Sequence, residues 1–316
     1  MTMQNERTKR YHSWNQHLKD TFGEKVFKVA IDGGFTCPNR DGTAAFGGCS
    51  FCSTSGSGDF AQSNVDGLLL QIDKGIAMMQ RKWPKASKAI AYFQNFTNTY
   101  APLADLKAKY EEVLSHPQVI GLMIGTRPDC LPEEVLDYLE QLNSRTYLWV
   151  ELGLQTCHDD TARAFNRGYT YSVYLEAVKG LRRRGIRVCV HIINGLPGET
   201  AEMMLETVNR VVSDSDIQGV KLHLLHLMQN TAMVDQYTGG QLVLMEQAEY
   251  IHVLCEQLAL LPKEIVIHRL TGDAPRELLI GPMWSLKKWE VLNAIDSHLE
   301  VSNYTQGCKC KNTSKT

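Results

Sequence analysis

Three cysteines, Cys37, Cys49 and Cys52, lie near the start of the 316-residue chain on a glycine-rich stretch that follows an apolar run. Cys49 and Cys52 are separated by two residues, a spacing at which two thiolates reach one metal centre, and a loop from Cys37 brings a third. Three thiolates on a cubane of four irons leave one iron without a protein ligand. Such an iron can bind and activate a small molecule. The competing reading is structural zinc, which asks for four ligands, usually in two short pairs. A second pair exists in Cys308 and Cys310, but these read first as part of a solvated polar tail. Cys130, Cys157, Cys189 and Cys255 stand singly and read as small buried hydrophobes.

A metal centre of this kind must be carried by a frame. After an arm to about residue 24, helical or irregular, apolar β-rich runs fall at 26–31, 89–94, 119–126, 147–155, 187–194, 220–228 and 265–271. Helical patterns alternate with them at 65–82, 102–115, 132–145, 171–184, 199–212 and 245–261, with start signals such as Pro132 before two glutamates. Alternating strand and helix implies parallel strands joined by right-handed crossovers. Six or more such units favour a barrel, complete or partial, and its chemistry sits on the loops after the strands. The cysteine loop follows the first strand, which is where that rule puts it. The expected organisation is an α/β partial barrel over 25–300 including a C-terminal extension, an N-terminal arm over 1–24, and a polar tail over 301–316 open to disorder.

Composition bounds the setting. The chain is 43% hydrophobic and 22% charged, ordinary for a globular protein, and no apolar run approaches the ~20 residues that span a bilayer. Its first nineteen residues are polar, without the apolar core of a secretory signal. A cytoplasmic protein is expected, in which nine cysteines at irregular spacing are not a disulfide framework. The formal net charge of −2 does not announce a nucleic-acid binder. The basic run Arg182–Arg184 ends a helix, where positive charge is favoured anyway.

The cysteine loop, with Phe51 just before its last cysteine, resembles that of the radical S-adenosylmethionine (SAM) superfamily. Eleven residues between Cys37 and Cys49 make a wide first gap, similar to the branch containing the catalytic subunit of Elongator. Four further segments resemble that branch: Thr126-Arg127-Pro128-Asp129, Glu151-Leu152-Gly153-Leu154-Gln155-Thr156, Asn166-Arg167-Gly168-Tyr169-Thr170, and the stretch from His191 to Thr200. The opening from Arg10 to Trp14 resembles a shorter, stand-alone bacterial subfamily without an acetyltransferase domain.

The resemblance implies a radical SAM partial barrel whose Cys37, Cys49 and Cys52 ligate a [4Fe–4S] cluster. SAM would bind the open iron, and one electron would split it to a 5′-deoxyadenosyl radical that takes a hydrogen atom from substrate. It further implies that Gln155 meets the bound nucleoside, that Arg167 meets the methionyl carboxylate, and that Gln94 and Asn95 lie by the methionyl amino group. The turn from Gly195 to Glu199 would border the adenine. One position departs from the branch. A glutamate usual three residues before the proline of the third-strand motif is here Gly125, so either another residue, such as Asp129 or Glu151, takes the contact or the contact is absent.

His223 and His226, on the sixth expected strand, are expected on opposite faces and so cannot share a metal. His191 or His223 is a candidate to face the barrel. The expected function is modification of the C5 side chain of a tRNA wobble uridine, for example trimming carboxymethylaminomethyl towards aminomethyl. The expected electron donor is a flavodoxin or ferredoxin. The alternatives are a radical SAM enzyme acting on a metabolite or protein, and a zinc-stabilised binding module.

Overall fold

Short runs rich in Val, Ile, Phe and Tyr form strands when both of their faces can be buried. In the computed structural model, which describes residues 9–56, 58, 60–62 and 64–310, the first half of the chain runs α1 (Trp14–Phe22), β1 (Val26–Ile31), α2 (Leu68–Gln80), β2 (Lys88–Phe93), α3 (Leu103–Leu114), β3 (Val119–Thr126), α4 (Glu133–Asn143) and β4 (Tyr147–Gln155). It continues with α5 (Asp159–Ala164), α6 (Tyr171–Arg183), β5 (Arg187–Asn194), α7 (Ala201–Asp214), β6 (Gly219–Leu224) and β7 (Leu227–Met228). Last come α8 (Met233–Thr238), α9 (Gln247–Leu260), β8 (Val266–Arg269), β9 (Leu279–Gly281) and α10 (Lys288–Val301).

β1 to β6 and then β8 lie side by side in chain order, every pair parallel. Because the order never reverses, right-handed crossovers put the helices on one face and the sheet curls into a half-barrel. The alternation of side chains sorts the two faces. Outward residues such as Val29, Ile31, Leu122, Val150 and Val190 pack against Ile72, Leu106, Leu139, Leu181 and Val208 of the helices. Inward residues at the start of the strands, including Val26, Ile90, Met123, Trp149 and Val266, form a separate cluster with Leu18 of α1.

The N-terminal arm closes that end of the barrel. Ser13 caps α1 by accepting from the Gln16 amide at 3.3 Å, and Gly23, at φ 70°, ends it in the left-handed conformation that glycine adopts without strain. Trp14 lies 4.1 Å from His268 and meets Trp149 edge to face. α1 touches both β1 and β8, the two edge strands. Burying Leu18 there contributes roughly 1.5–3 kcal/mol. The opposite end, where the strands finish, is left to the loops.

Four expected strands carry the observed bounds. The sixth does not. It stops at Leu224, and Leu227–Met228 pairs instead with β9, antiparallel. The reason is the short neighbour: β8 ends at Arg269 and pairs with β6 only as far as Lys221, so the chain beyond has no outer partner. After α10 the chain returns to the N-terminal arm. Gln306 accepts from the His12 amide at 2.8 Å and donates to the carbonyls of Pro262 and Ile265 at 2.7 Å each. Residues 311–316 lie outside the described residues.

Candidate active site

The loop after β1 is held mainly by its backbone. The Arg40 amide donates to the Cys37 carbonyl at 2.8 Å and the Cys52 amide to the Cys49 carbonyl at 2.9 Å, so each end of the cysteine set sits in a turn. A second segment, following α5, clamps it. The Ser50 amide donates to the Phe165 carbonyl at 3.0 Å, and the Phe51 and Phe165 rings lie 5.3 Å apart. Asn166 donates to the Gly48 carbonyl at 2.9 Å, while the fully buried Asn39 donates back to the Asn166 carbonyl at 2.5 Å and reaches Cys49 Sγ at 3.6 Å.

Two arginines lock this clamp to the strand ends. Arg127, after β3, is forked by the Asp129 carboxylate at 2.9 and 2.7 Å and donates to the Arg167 carbonyl at 2.9 Å. Arg167 is fully buried and donates to the carbonyls of Leu154, Thr156 and Tyr169, and to Asp159 at 3.0 Å. Both guanidinium groups lie over the Tyr169 ring, at 4.8 and 4.7 Å. Gly168 between them has φ +86°, and a Cβ there would stand 2.9 Å from Asn39 Oδ1 and 3.3 Å from Arg127. Only glycine fits.

Beneath the loop is a cavity of about 400 Å³ lined by Cys37, Cys49, Cys52, Gln94, Gly125, Arg127, Gln155 and Tyr169, a size usual for small-molecule sites. Lower on its wall are Lys28, Tyr92, Glu151, His191, Lys221, His223 and Arg269. Glu151 is the hub. It accepts from Lys221 at 2.5 Å and from His191 at 2.8 Å, and Lys221 also donates to the Tyr92 hydroxyl at 3.1 Å. Burial works against its ionised form, but Lys221 and His191 overcome that and hold its carboxyl well below the usual carboxylate range. Burial, then the charge of Lys221, pushes His191 down to about 4, so the ring is neutral at pH 7. Burial, then Lys221 again, brings Lys28 down to about 7.

The structure brings some of the expected site residues together and not others. Cys37, Cys49, Cys52, Gln94 and Gln155 face the cavity. Gln155 has φ 64°, a strained value for a residue with a side chain, and its Oε1 is buried without a hydrogen-bond partner. Asn95 lies behind the wall, where it donates to Asp32 at 3.0 Å. Arg167 has spent its donors on backbone and Asp159, so in this arrangement it braces the site rather than facing a ligand. Gly195 also lies off the wall, packed where a Cβ would meet Met245 at 3.0 Å. His223 and His226 both line the cavity, because β6 has ended before His226 and strand alternation no longer applies. Neither acid expected to substitute for a glutamate at Gly125 stands beside that glycine unengaged: Asp129 is held by Arg127, and Glu151 sits lower, bonded to Lys221 and His191.

Sequence reading passed over Lys28, Tyr92, Lys221 and Arg269. A signal was present: Lys28 and Lys221 are single charges inside apolar strands, at positions whose parity points into the barrel.

A half-barrel with three thiols on the loop after its first strand, above a ligand-sized cavity, defines a metal-cluster enzyme of the β/α type. The sequence profile of the Radical SAM superfamily matches residues 37–211, and that of the Radical_SAM C-terminal domain matches residues 217–301. The chain belongs to the radical SAM superfamily. It is an enzyme whose cofactors are a [4Fe–4S] cluster and SAM. Among relatives, it is 56% identical over 299 residues to the uncharacterized protein YtqA of Bacillus subtilis, covering 95% of this chain and 92% of that one. It is 24% identical over 205 residues to a tRNA uridine(34) acetyltransferase of Methanocaldococcus jannaschii, covering 64% of this chain and 36% of that protein. In fold it resembles the solved structure of Elp3 from Methanocaldococcus infernus, lacking its N-terminal residues 1–46, with a TM-score of 0.67 at 17% identity over 89% of this chain and 64% of that one. Among the described residues no helix is long and apolar enough to cross a membrane.

The residues fit these cofactors. Three thiols share one wall, and Gln155, whose buried Oε1 has no hydrogen-bond partner, lines the same cavity.

Proposed function

We propose that the chain modifies the C5 side chain of a tRNA wobble uridine, trimming a carboxymethylaminomethyl group towards aminomethyl, with Cys37, Cys49 and Cys52 holding the cluster. When bound, the cluster and SAM would supply one-electron chemistry that removes a hydrogen atom from substrate. The single observation that carries the radical chemistry of this reading is the trio of thiols on the wall of a ligand-sized cavity. A flavodoxin or ferredoxin is the proposed reductant.

The chain's own residues have separable tasks in this proposal. Asn39, Asn166 and the Arg127–Asp129 fork hold the cysteine loop still. Gln155 and Gln94 are placed to position the cofactor's polar atoms. The half-barrel keeps water and stray side chains from the reacting hydrogen. Support for a nucleic-acid substrate comes from the relative named tRNA uridine(34) acetyltransferase. Two exposed aromatics, Phe46 on the cysteine loop and Phe60 on the cavity wall, offer faces on which bases can stack.

The test is nucleoside mass spectrometry of tRNA from a deletion strain. An unprocessed wobble uridine is expected, restored to the processed form by the wild-type gene and not by Cys52→Ala. An unchanged nucleoside profile rules out the tRNA reading.

A further inference from the structure

Among the described residues, five lysines and arginines line the cavity, and all but one have oxygen partners of their own. Arg127 is forked by Asp129, Arg40 donates to the carbonyls of Ser53 and Thr54, Lys221 is bonded to Glu151, and Arg269 lies 3.1 Å from Asp273. Lys28 is the exception. Its Nζ lies over the Tyr92 ring, 4.9 Å from the centroid, and among the described residues no carboxylate comes within ion-pair distance of it. Lys221 Nζ approaches the same ring at 4.4 Å. Two ammonium groups therefore flank one phenol, while the nearby carboxylate, Glu151, is already shared between Lys221 and His191.

A half-buried ammonium without a counter-charge is costly, and on the wall of a ligand cavity such a charge marks where an anion completes the site. Lys28 is three residues short of the end of β1, ~10 Å down by strand rise. That depth admits a thin side chain and not a backbone phosphate. We propose that Lys28, on its Tyr92 platform, binds a carboxylate of the substrate at the cavity floor. The group that reacts then sits above it, nearer the thiols. The choice of ligand rests on the proposed function, because a carboxymethylaminomethyl arm ends in a carboxylate and is thin enough to reach down. The competing source of a carboxylate is the methionyl end of SAM.

The experiment titrates anaerobically reconstituted, SAM-loaded enzyme with 5-carboxymethylaminomethyluridine and with its methyl ester, in wild type, Lys28→Met and Lys28→Arg. Wild type is expected to prefer the acid at least tenfold, Lys28→Arg to keep most of that preference, and Lys28→Met to lose it. Equal binding of acid and ester by wild type overturns the proposal, as does a preference retained by Lys28→Met. SAM affinity is measured in parallel. A fall in Lys28→Met with the acid preference intact assigns the lysine to the cofactor and also overturns it. If Lys28→Met does not load a cluster, Lys28→Gln and the wild-type ratio decide. The tRNA reading fails on a different readout, the wobble nucleoside of the deletion strain.

Discussion

The rim and the floor of the half-barrel are built from opposite materials. At the rim, the cysteine loop is fixed by backbone amides, two asparagines and two arginines whose donors end on carbonyls or on a local aspartate. Little of it depends on distant charge. At the floor, Lys28, Glu151, His191 and Lys221 come from four strands, and the Glu151 carboxylate holds Lys221 by charge and a neutral His191 by hydrogen bond in a site shielded from water. The rim presents three thiols on a braced loop, whereas the floor carries an ammonium, Lys28, with no carboxylate among the described residues at ion-pair distance. On the proposed reading the two ends serve different bound groups: the rim would anchor the cofactor and the floor would receive the substrate.

The largest effects should break the rim. Replacing any one of Cys37, Cys49 or Cys52 by alanine is expected to lower iron from about four per chain to near zero after anaerobic reconstitution. It should also remove the broad absorbance at about 400 nm that such clusters give and abolish 5′-deoxyadenosine formation. Replacing Cys189, equally a cysteine but buried in the lower cluster, should leave iron content near wild type. If Cys189→Ala loses iron as completely as Cys52→Ala, the division between rim and floor is wrong.

The next effect falls on the floor. Glu151→Gln removes the carboxylate that holds Lys221 and leaves buried cations uncompensated, at a cost of about 3–5 kcal/mol. Denaturant unfolding at pH 7 measures it. The sign with pH follows from the carboxyl's position below its ordinary value. Glu151 contributes stability above the usual carboxylate range, and that contribution is lost as pH falls through the lower folded value. The acid limb of stability should therefore be steep in wild type and flatter in Glu151→Gln.

The two regions also differ in how well they could be read from sequence. The rim is local: the cysteines, Asn166 to Tyr169, and the Thr126 to Asp129 segment are contiguous words with fixed spacing. Even there the role of Arg167 escaped. A motif tells which residues are near one another, but not whether a guanidinium points at a ligand or at three carbonyls. The frame was legible because hydrophobic alternation and helix periods report burial directly, and four strands carry the expected bounds. The break after Leu224 was not legible, since it depends on the length of β8, which begins only at Val266. The floor was hardest to read. Lys28, Glu151 and Lys221 lie far apart in sequence and are joined only by the register of the sheet, so each taken alone looks like an interruption of an apolar strand.

A smaller perturbation at the rim probes its rigidity without touching a thiol. Gly168→Ala puts a side chain at φ +86° and 2.9 Å from Asn39 Oδ1. Such strain costs on the order of 2 kcal/mol. Because Asn39 holds the Cys49 end of the loop, the expected result is a cluster that assembles but bleaches faster in a chelator challenge, at wild-type secondary-structure content. Iron retention equal to wild type would show that the clamp after α5 is not what fixes the loop.

The last effect has the opposite sign, and it separates floor from rim most sharply. Lys28→Met should stabilise the substrate-free protein at about pH 6, because an unanswered ammonium is exchanged for an apolar chain of similar length. Lys28 titrates at about 7 in the fold and near 10.5 when unfolded. Below pH 7 it is charged in both states, and burial costs the fold its full penalty. Between pH 7 and 10.5 the unfolded chain binds a proton that the native one does not, so wild-type stability rises with pH relative to Lys28→Met. The gap between the two proteins in urea unfolding should thus be widest at about pH 6 and close towards about pH 10. Arg127 and Arg167 at the rim do not share this pattern, since each already faces an aspartate. If Lys28→Met is instead less stable than wild type below the folded value of about 7, the lysine is part of the floor's own ion network and the floor is as complete as the rim.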